Sequence, residues 1–383
     1  MKYMGSKRIM LLNGLGSILS EEITSAKRFV DLFVGSGAVA IHVAQKYSVP
    51  VLAYDLQMYS TVLANAVISR KSLIDWEPVW KSWYSRAEKV YSSKRPLEAS
   101  KITQAIVKDF RYYCIRQESP ITRAYGGHYF SPSQALWIDA LRSTLPSDEN
   151  AQTVALAALI SAASQCAASP GHTAQPLQPT KSAKKFLNAA WNTDVVEKTK
   201  TAFEAISKQC AKGTGKAAVA DANEAAKQLQ KGDLVFIDPP YSGVHYSRFY
   251  HVLETIAQGK CGKVTGVGRY PDPELRPKSK YSLQTESSNA LDELLSTISA
   301  KKAKAILTFP DHPCSNGLSG NKVKRIAKKY FDVRQRTVKS KFSTLGGRAE
   351  AEREIRKKEG KKDHGRQARM NAKELILVLT PRD

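Results

Sequence analysis

Over the first seventy positions, short continuous apolar runs alternate with helical spacing. The run Lys27–Phe33 reads as a strand ending at Asp31-Leu32-Phe33. It feeds the turn Val34-Gly35-Ser36-Gly37, and helix-like spacing follows over Ala38–Tyr47. Val49–Asp55 repeats the strand pattern with Pro50 near its start, and helical spacing returns from Gln57 to Arg70. This order is the opening of a parallel sheet, because a parallel crossover is right-handed and packs its helix back onto the strands.

From about Asp75 to Cys210 strand-like runs become rare. Trp76, Trp80, Trp83 and Trp137 fall here, and Ala151–Ala168 is rich in Ala and Leu and predicts a helix. Gly and Pro mark two segments, Ser119–Tyr129 and Ser169–Thr180, as loops. Strand patterns return at Ala217–Ala220, Leu234–Asp238 and Ala303–Phe309. Val333–Phe342 and Glu374–Leu379 predict a late antiparallel pair, joined across Gly346–Lys373 by a long basic loop. The expected fold is α/β, a mostly parallel sheet with a late antiparallel strand plus an inserted, mostly helical domain. The expected divisions are 1–74, 75–210 and 211–383. No period of 20–50 residues repeats, so a solenoid is not indicated.

Composition narrows the setting. Of 383 residues, 42% are hydrophobic, enough for a core. No apolar run approaches ~18 residues, and the first residues lack the pattern of a secretory signal. Five widely separated cysteines form no Cys-x-x-Cys pair, which disfavours zinc sites and disulfides and makes a cytoplasmic setting the expectation. The chain carries 59 Lys and Arg against 35 Asp and Glu, net +24, which points to a polyanionic partner such as nucleic acid. Residues 301–383 hold 23 Lys and Arg against 9 Asp and Glu, +14 of that excess. Phosphate contact by this late region, or a merely solvated basic loop, would each account for it.

Chemistry enters at two places. Gly35 and Gly37 let backbone approach a bound nucleotide, and Asp55 closes the next strand twenty positions after Gly35, where a carboxylate meets ribose hydroxyls. A tight strand-to-helix turn is the plainer alternative. The second place is Asp238-Pro239-Pro240-Tyr241, directly after an apolar strand and so in the ligand crevice of an open sheet. The Asp238 carboxylate and the Pro239 carbonyl can accept both hydrogens of an exocyclic amine. Consecutive prolines stiffen the backbone, and Tyr241 offers a face for stacking a base.

These segments, in this order, resemble the alpha-group, Dam-like DNA adenine methyltransferases. Tyr3-Met4-Gly5-Ser6-Lys7 is similar to the family's first motif, Asp31–Gly37 to its glycine motif, and Asp238–Tyr241 to its catalytic tetrapeptide. Ser315-Asn316-Gly317 is similar to a later motif. The resemblance covers roughly 1–70 and 215–383. It implies a Rossmann-like methyltransferase sheet with S-adenosylmethionine as cofactor. The cofactor would be held by Tyr3, Lys7, Asp31, Phe33, Gly35, Ser36, Gly37, Asp55, Asp221 and Asp238, with Asp221 at its adenine. Asp238, Pro239, Pro240 and Tyr241 would act on a flipped adenine of double-stranded DNA. The helical 75–210 stretch occupies the place of the family's target-recognition domain. A cognate restriction endonuclease acting on the same site would be a further partner, and DNA binding would tie a cytoplasmic enzyme to the nucleoid.

The remaining signals are weaker. Gly213–Lys216 lacks the Ser or Thr of a phosphate loop, and Arg276 stands where a nuclease motif after Pro271-Asp272 needs lysine. His128, His172, His245 and His251 show no metal-ligand spacing, so no metal is expected. Tyr246, Arg248 and Tyr250 either pack or touch DNA. The competing functions are amino-methylation of cytosine in DNA or of RNA, and a non-catalytic DNA-binding regulator on the same fold.

Overall fold

The computed structural model describes residues 7–99, 102–343 and 369–382. Its strands are β1 (Arg28–Asp31), β2 (Val51–Asp55), β3 (Gly215–Val219), β4 (Asp233–Ile237), β5 (Val264–Thr265), β6 (Tyr270–Pro271), β7 (Lys304–Pro310), β8 (Phe331–Ser343) and β9 (Arg369–Pro381). The described residues divide into two compact units, one of 28–222 and 245–279, the other of 7–27, 223–244 and 280–382.

In the first unit β1, β2 and β3 run parallel in the order β3-β2-β1. Phe29 pairs with Val51, and Asp55 with Val219. The helices Ala38–Lys46 and Met58–Ile68 follow β1 and β2, as their apolar spacing predicts. The helices of residues 76–207 belong to the same unit. Glu149–Cys166 is apolar on nearly every side, and it is buried against Met58–Ile68 and Val195–Ser207. The tryptophans serve packing: Trp83 donates its indole N–H to the Leu141 carbonyl (3.0 Å) and meets Trp80 edge-on, while Trp137 stacks on Tyr91 at 4.1 Å.

Ser119–Tyr129 is a loop over only part of its length, because Pro120–Tyr125 is a helix. Proline at the first helical position needs no amide partner. The amides of Ile121 and Thr122 donate to Asp139 of helix Pro132–Ser143, at 3.0 and 2.7 Å. A carboxylate from another helix therefore caps a segment too short to nucleate alone. Ser169–Thr180 is irregular, as expected. The two-residue strands β5 and β6 pair antiparallel and have no counterpart in the sequence pattern.

In the second unit β4 runs parallel to β7, β7 antiparallel to β9, and β9 antiparallel to β8. All five residues of β4 are buried. The late antiparallel pair is present and longer than predicted. Residues 369–373, expected in the loop, continue β9 opposite Lys339–Ser343. A hairpin ladder needs only backbone partners, so it can run past its apolar stretch. The rest of the expected loop, 346–368, lies outside the described residues. Both units carry parallel strands, and antiparallel pairing in the strands named above enters at β9 and in the β5–β6 hairpin. This is the mixed α/β, Rossmann-like arrangement expected. Among the described residues no helix is long and apolar enough to cross a membrane.

Candidate active site

The predicted residues fall into two groups, one in each unit. In the first unit they collect at the carboxyl ends of β1, β2 and β3. Asp31 is buried at the end of β1 and accepts the Phe33 amide at 3.2 Å. The chain then turns through Gly35 and Gly37, both at positive φ (+49° and +76°), with the Gly37 amide donating to the Val34 carbonyl at 2.7 Å. A Cβ on Gly37 would stand 3.0 Å from Ile41 Cδ1, so space as well as φ requires glycine here. Ser36 is partly exposed between the two glycines.

Asp55 holds this turn to β2. Its Oδ2 accepts the Gly35 amide at 2.9 Å and its Oδ1 the Gln57 amide at 3.0 Å. Burial pushes Asp55 up to about 6, against those two hydrogen bonds, and the charge of Glu254 adds to the rise. Each carboxylate oxygen keeps a further lone pair for a hydroxyl. Asp221 follows β3, and the Ala220 amide donates to the Asp55 carbonyl at 3.0 Å, so the two acids end neighbouring strands.

Glu254 is a feature the sequence reading missed. It lies on helix Tyr246–Gln258, and its two oxygens accept the amides of Met58 and Tyr59, both at 3.0 Å. It thereby caps the helix that follows Asp55. Gln57 and Glu254 also line a cavity of about 300 Å³, together with His251, Thr255, Gln258 and Arg276. Tyr250 is buried against Tyr59, which settles its part as packing, and Arg248 is exposed.

The second group forms around Asp238, immediately after β4. Lys7 is only 5% exposed, and its Nζ lies 3.0 Å from Asp238 Oδ1 and 3.0 Å from Glu374 Oε1. Thr308 of β7 donates to the same Asp238 Oδ1 at 2.8 Å. Among the described residues Asp238 Oδ2 has no partner. Burial would lower the Lys7 ammonium, but the two carboxylates outweigh it and hold the group above its ordinary value. Burial raises Asp238; the Lys7 charge opposes this and the Glu374 charge reinforces it. Lys7 thus stands with the tetrapeptide. Tyr3 lies outside the described residues.

The tetrapeptide loop is tied down by the Ser-Asn-Gly segment. Asn316 is fully buried and donates to the Pro240 carbonyl at 2.9 Å and the Tyr281 carbonyl at 3.0 Å. Ser315 Oγ accepts the Gly243 amide at 2.9 Å. A Cβ at Gly243 would stand 2.7 Å from the Ser315 carbonyl oxygen, so the two loops are in close backbone contact. Glu374 and Thr308 also escaped the sequence reading. Their signal is faint: one acid heading the apolar run Leu375–Leu379, and one hydroxyl inside Ala303–Phe309.

Comparison with known proteins agrees with this arrangement. "Modification methylase StsI" of Streptococcus sanguinis is 27% identical over 307 residues, 78% of this chain and 42% of that protein. "Modification methylase LlaI" of Lactococcus lactis subsp. lactis is 26% identical over 312 residues, 81% and 44%. "Type II methyltransferase M.FokI" of Planomicrobium okeanokoites is 26% identical over 309 residues, 77% and 42%. The chain spans less than half the length of these curated relatives. The model of a family described as D12 class N6 adenine-specific DNA methyltransferase matches residues 3–309, and the chain belongs to that family.

Proposed function

We propose that the chain transfers a methyl group to the exocyclic amine of adenine in double-stranded DNA. The observation that carries this is Asp238: Lys7 and Thr308 both engage Oδ1, and among the described residues Oδ2 is left open. A carboxylate steadied on one oxygen and open on the other suits acceptance of one amine hydrogen, and the Pro239 carbonyl takes the second. The amine lone pair is delocalised into the ring, and two acceptors draw its geometry towards tetrahedral and localise the pair for attack. The target nitrogen is inside the duplex, so the base must be flipped out, and Tyr241 supplies a stacking face.

DNA methyltransferases of this family use S-adenosylmethionine as methyl donor. The donor set at β1–β3 fits it. Asp55 has lone pairs for ribose hydroxyls, Asp221 ends the adjacent strand, and the segment Asp31, Phe33, Gly35, Ser36 and Gly37 offers close backbone for the methionine end. When bound, that cofactor supplies a methyl group on a positively charged sulfur, which leaves neutral. Asp238 stabilises the positive charge that builds on the attacking nitrogen, and the amine proton then passes to water. Most of the acceleration comes from alignment and charge placement.

Aspartate at the head of the tetrapeptide, and the family match, favour adenine over cytosine or RNA. An intact Asp238–Tyr241 with Asp55 favours an enzyme over a non-catalytic regulator. We place base reading on the helical 75–210 stretch, which stands between the cofactor and catalytic motifs. By their names the relatives are modification methylases, and we infer a modification role beside a restriction endonuclease of the same site, in a cytoplasmic, nucleoid-bound setting. Asp238→Ala should lower methyl transfer to DNA at least about hundredfold while cofactor binding persists. Undiminished labelling of DNA from a radioactive methyl donor would overturn the assignment. Nucleoside mass spectrometry of the labelled product identifies the base.

A further inference from the structure

Beside the cavity lined by Gln57, Glu254 and Arg276, the first unit carries cations that form no ion pair among its described residues. Arg248, on helix Tyr246–Gln258, and Arg276, just beyond the β5–β6 hairpin, approach the same ring. Their guanidinium carbons lie 4.7 and 5.5 Å from the centre of Tyr270. Neither they nor Lys278 form an ion pair among the described residues. Arg248 and Lys278 are exposed. The segment that carries Lys278 is tied beside the same helix, since the Ser279 amide donates to His245 Nδ1 at 3.3 Å, and burial, then the charges of Lys278, Arg276 and Arg248, lower the pKa of that imidazole.

The cluster is held in place. Arg269 adopts φ +53°, unusual for a residue with a side chain, and its guanidinium donates to the carbonyls of Ala124 (2.8 Å) and Arg123 (3.4 Å). That fastens the hairpin to the helix Pro120–Tyr125. Tyr270 donates its hydroxyl to the Ala174 carbonyl, and His251 Nε2 lies 2.9 Å from the Gly268 carbonyl. Between β5 and β6 the tip is Gly266, at φ +69°, and Val267, 62% exposed. Like charges held near one another with no ion pair among the described residues raise the energy of the free protein, and an anion relieves it. A guanidinium lying on a ring keeps its N–H edges free for phosphate oxygens.

We propose that Arg248 and Arg276, both at Tyr270, and the exposed Lys278 two positions after Arg276 form the surface that grips the phosphate backbone of duplex DNA. This rests on the reading of the chain as a DNA methyltransferase and adds where its substrate is held. The grip is independent of sequence, because phosphates carry no base identity. Phosphate binding belongs to this hairpin face.

The test uses the full chain and fluorescent duplexes of unrelated sequence, with binding followed by anisotropy from 50 to 200 mM salt. Replacing Arg248, Arg276 and Lys278 together by Ala should weaken every duplex at least about tenfold at low salt. It should also flatten the slope of log affinity against log salt by roughly 0.9 for each phosphate no longer neutralised. Cofactor affinity by calorimetry should stay unchanged. Wild-type slope and affinity in the triple variant overturn the proposal. If the triple variant unfolds early, Lys278→Glu alone, at an exposed side chain, must still weaken and flatten binding, and no change there overturns it equally. A wild-type chain that methylates DNA beside variants that bind normally refutes the surface alone. A wild-type chain that neither binds nor methylates duplex DNA refutes the functional reading as well.

Discussion

Asp238 shows how a buried carboxylate is kept usable. The acceptor role proposed for it requires the ionised form, yet burial and Glu374 both raise its pKa while Lys7 restrains it. Removing the Glu374 charge by Glu374→Gln lets Asp238 ionise at lower pH. The acid limb of the kcat–pH profile should therefore move to lower pH, and an unmoved limb would show that Glu374 has no electrostatic hold on the reaction. Asp55 obeys the same sign at the cofactor end. With a pKa of about 6 it is increasingly protonated below that pH and offers ribose hydroxyls fewer acceptors. Cofactor affinity by calorimetry should fall between pH 7.5 and 5.5, and Asp55→Asn should weaken binding and remove that dependence. At this scale the sequence was informative where chemistry is local. Gly35, Asp55 and Asp238 stand beside the turns that use them. Thr308 and Glu374 reach Asp238 from separate strands, and a single polar residue in an apolar run does not announce its partner.

Elements are set by such distant partners as much as by their own residues. Helix Pro120–Tyr125 was hidden because its cap, Asp139, comes from another helix. Glu254 caps Met58–Ile68 from 195 or more positions away. Losing the Asp139 carboxylate by Asp139→Ala leaves the buried amides of Ile121 and Thr122 unpaired and should cost about 2–3 kcal/mol in urea melts. The strands and crossover helices were legible because short continuous apolar runs stand apart from helical spacing of 3.6. β5 and β6 were not, since two residues make no period. The tetrapeptide loop is governed from outside too: Asn316 fixes the Pro240 carbonyl, next to the Pro239 acceptor. Asn316→Ala should lower kcat by roughly tenfold to a hundredfold while cofactor affinity is kept, because a small misplacement of reacting groups is costly. Equal kcat in the variant would mean the prolines alone define the loop.

Across the whole molecule, a net charge of +24 should make the proposed duplex affinity strongly salt-dependent, falling by orders of magnitude between about 50 and 200 mM salt. Charge counting along the sequence weighted the late region, because +14 resides there. In that region Arg334 is engaged by Glu21 and Glu22, and Lys329 by Asp292, whereas Arg248 and Arg276 at Tyr270 form no ion pair among the described residues. Net charge adds up residues irrespective of their neighbours, and only the folded chain shows which cations are already neutralised. Deleting 347–371 should thus leave a salt slope that the Arg248, Arg276 and Lys278 substitutions still flatten. Finally, Lys7 and Glu374 are 367 positions apart, and the acceptor at Asp238 is complete only when both are in place. A ribosome emits Lys7 long before Glu374. The cluster of Lys7, Asp238 and Glu374 therefore waits for the late strand to be made, and a translation product interrupted before it carries a lysine without its second carboxylate.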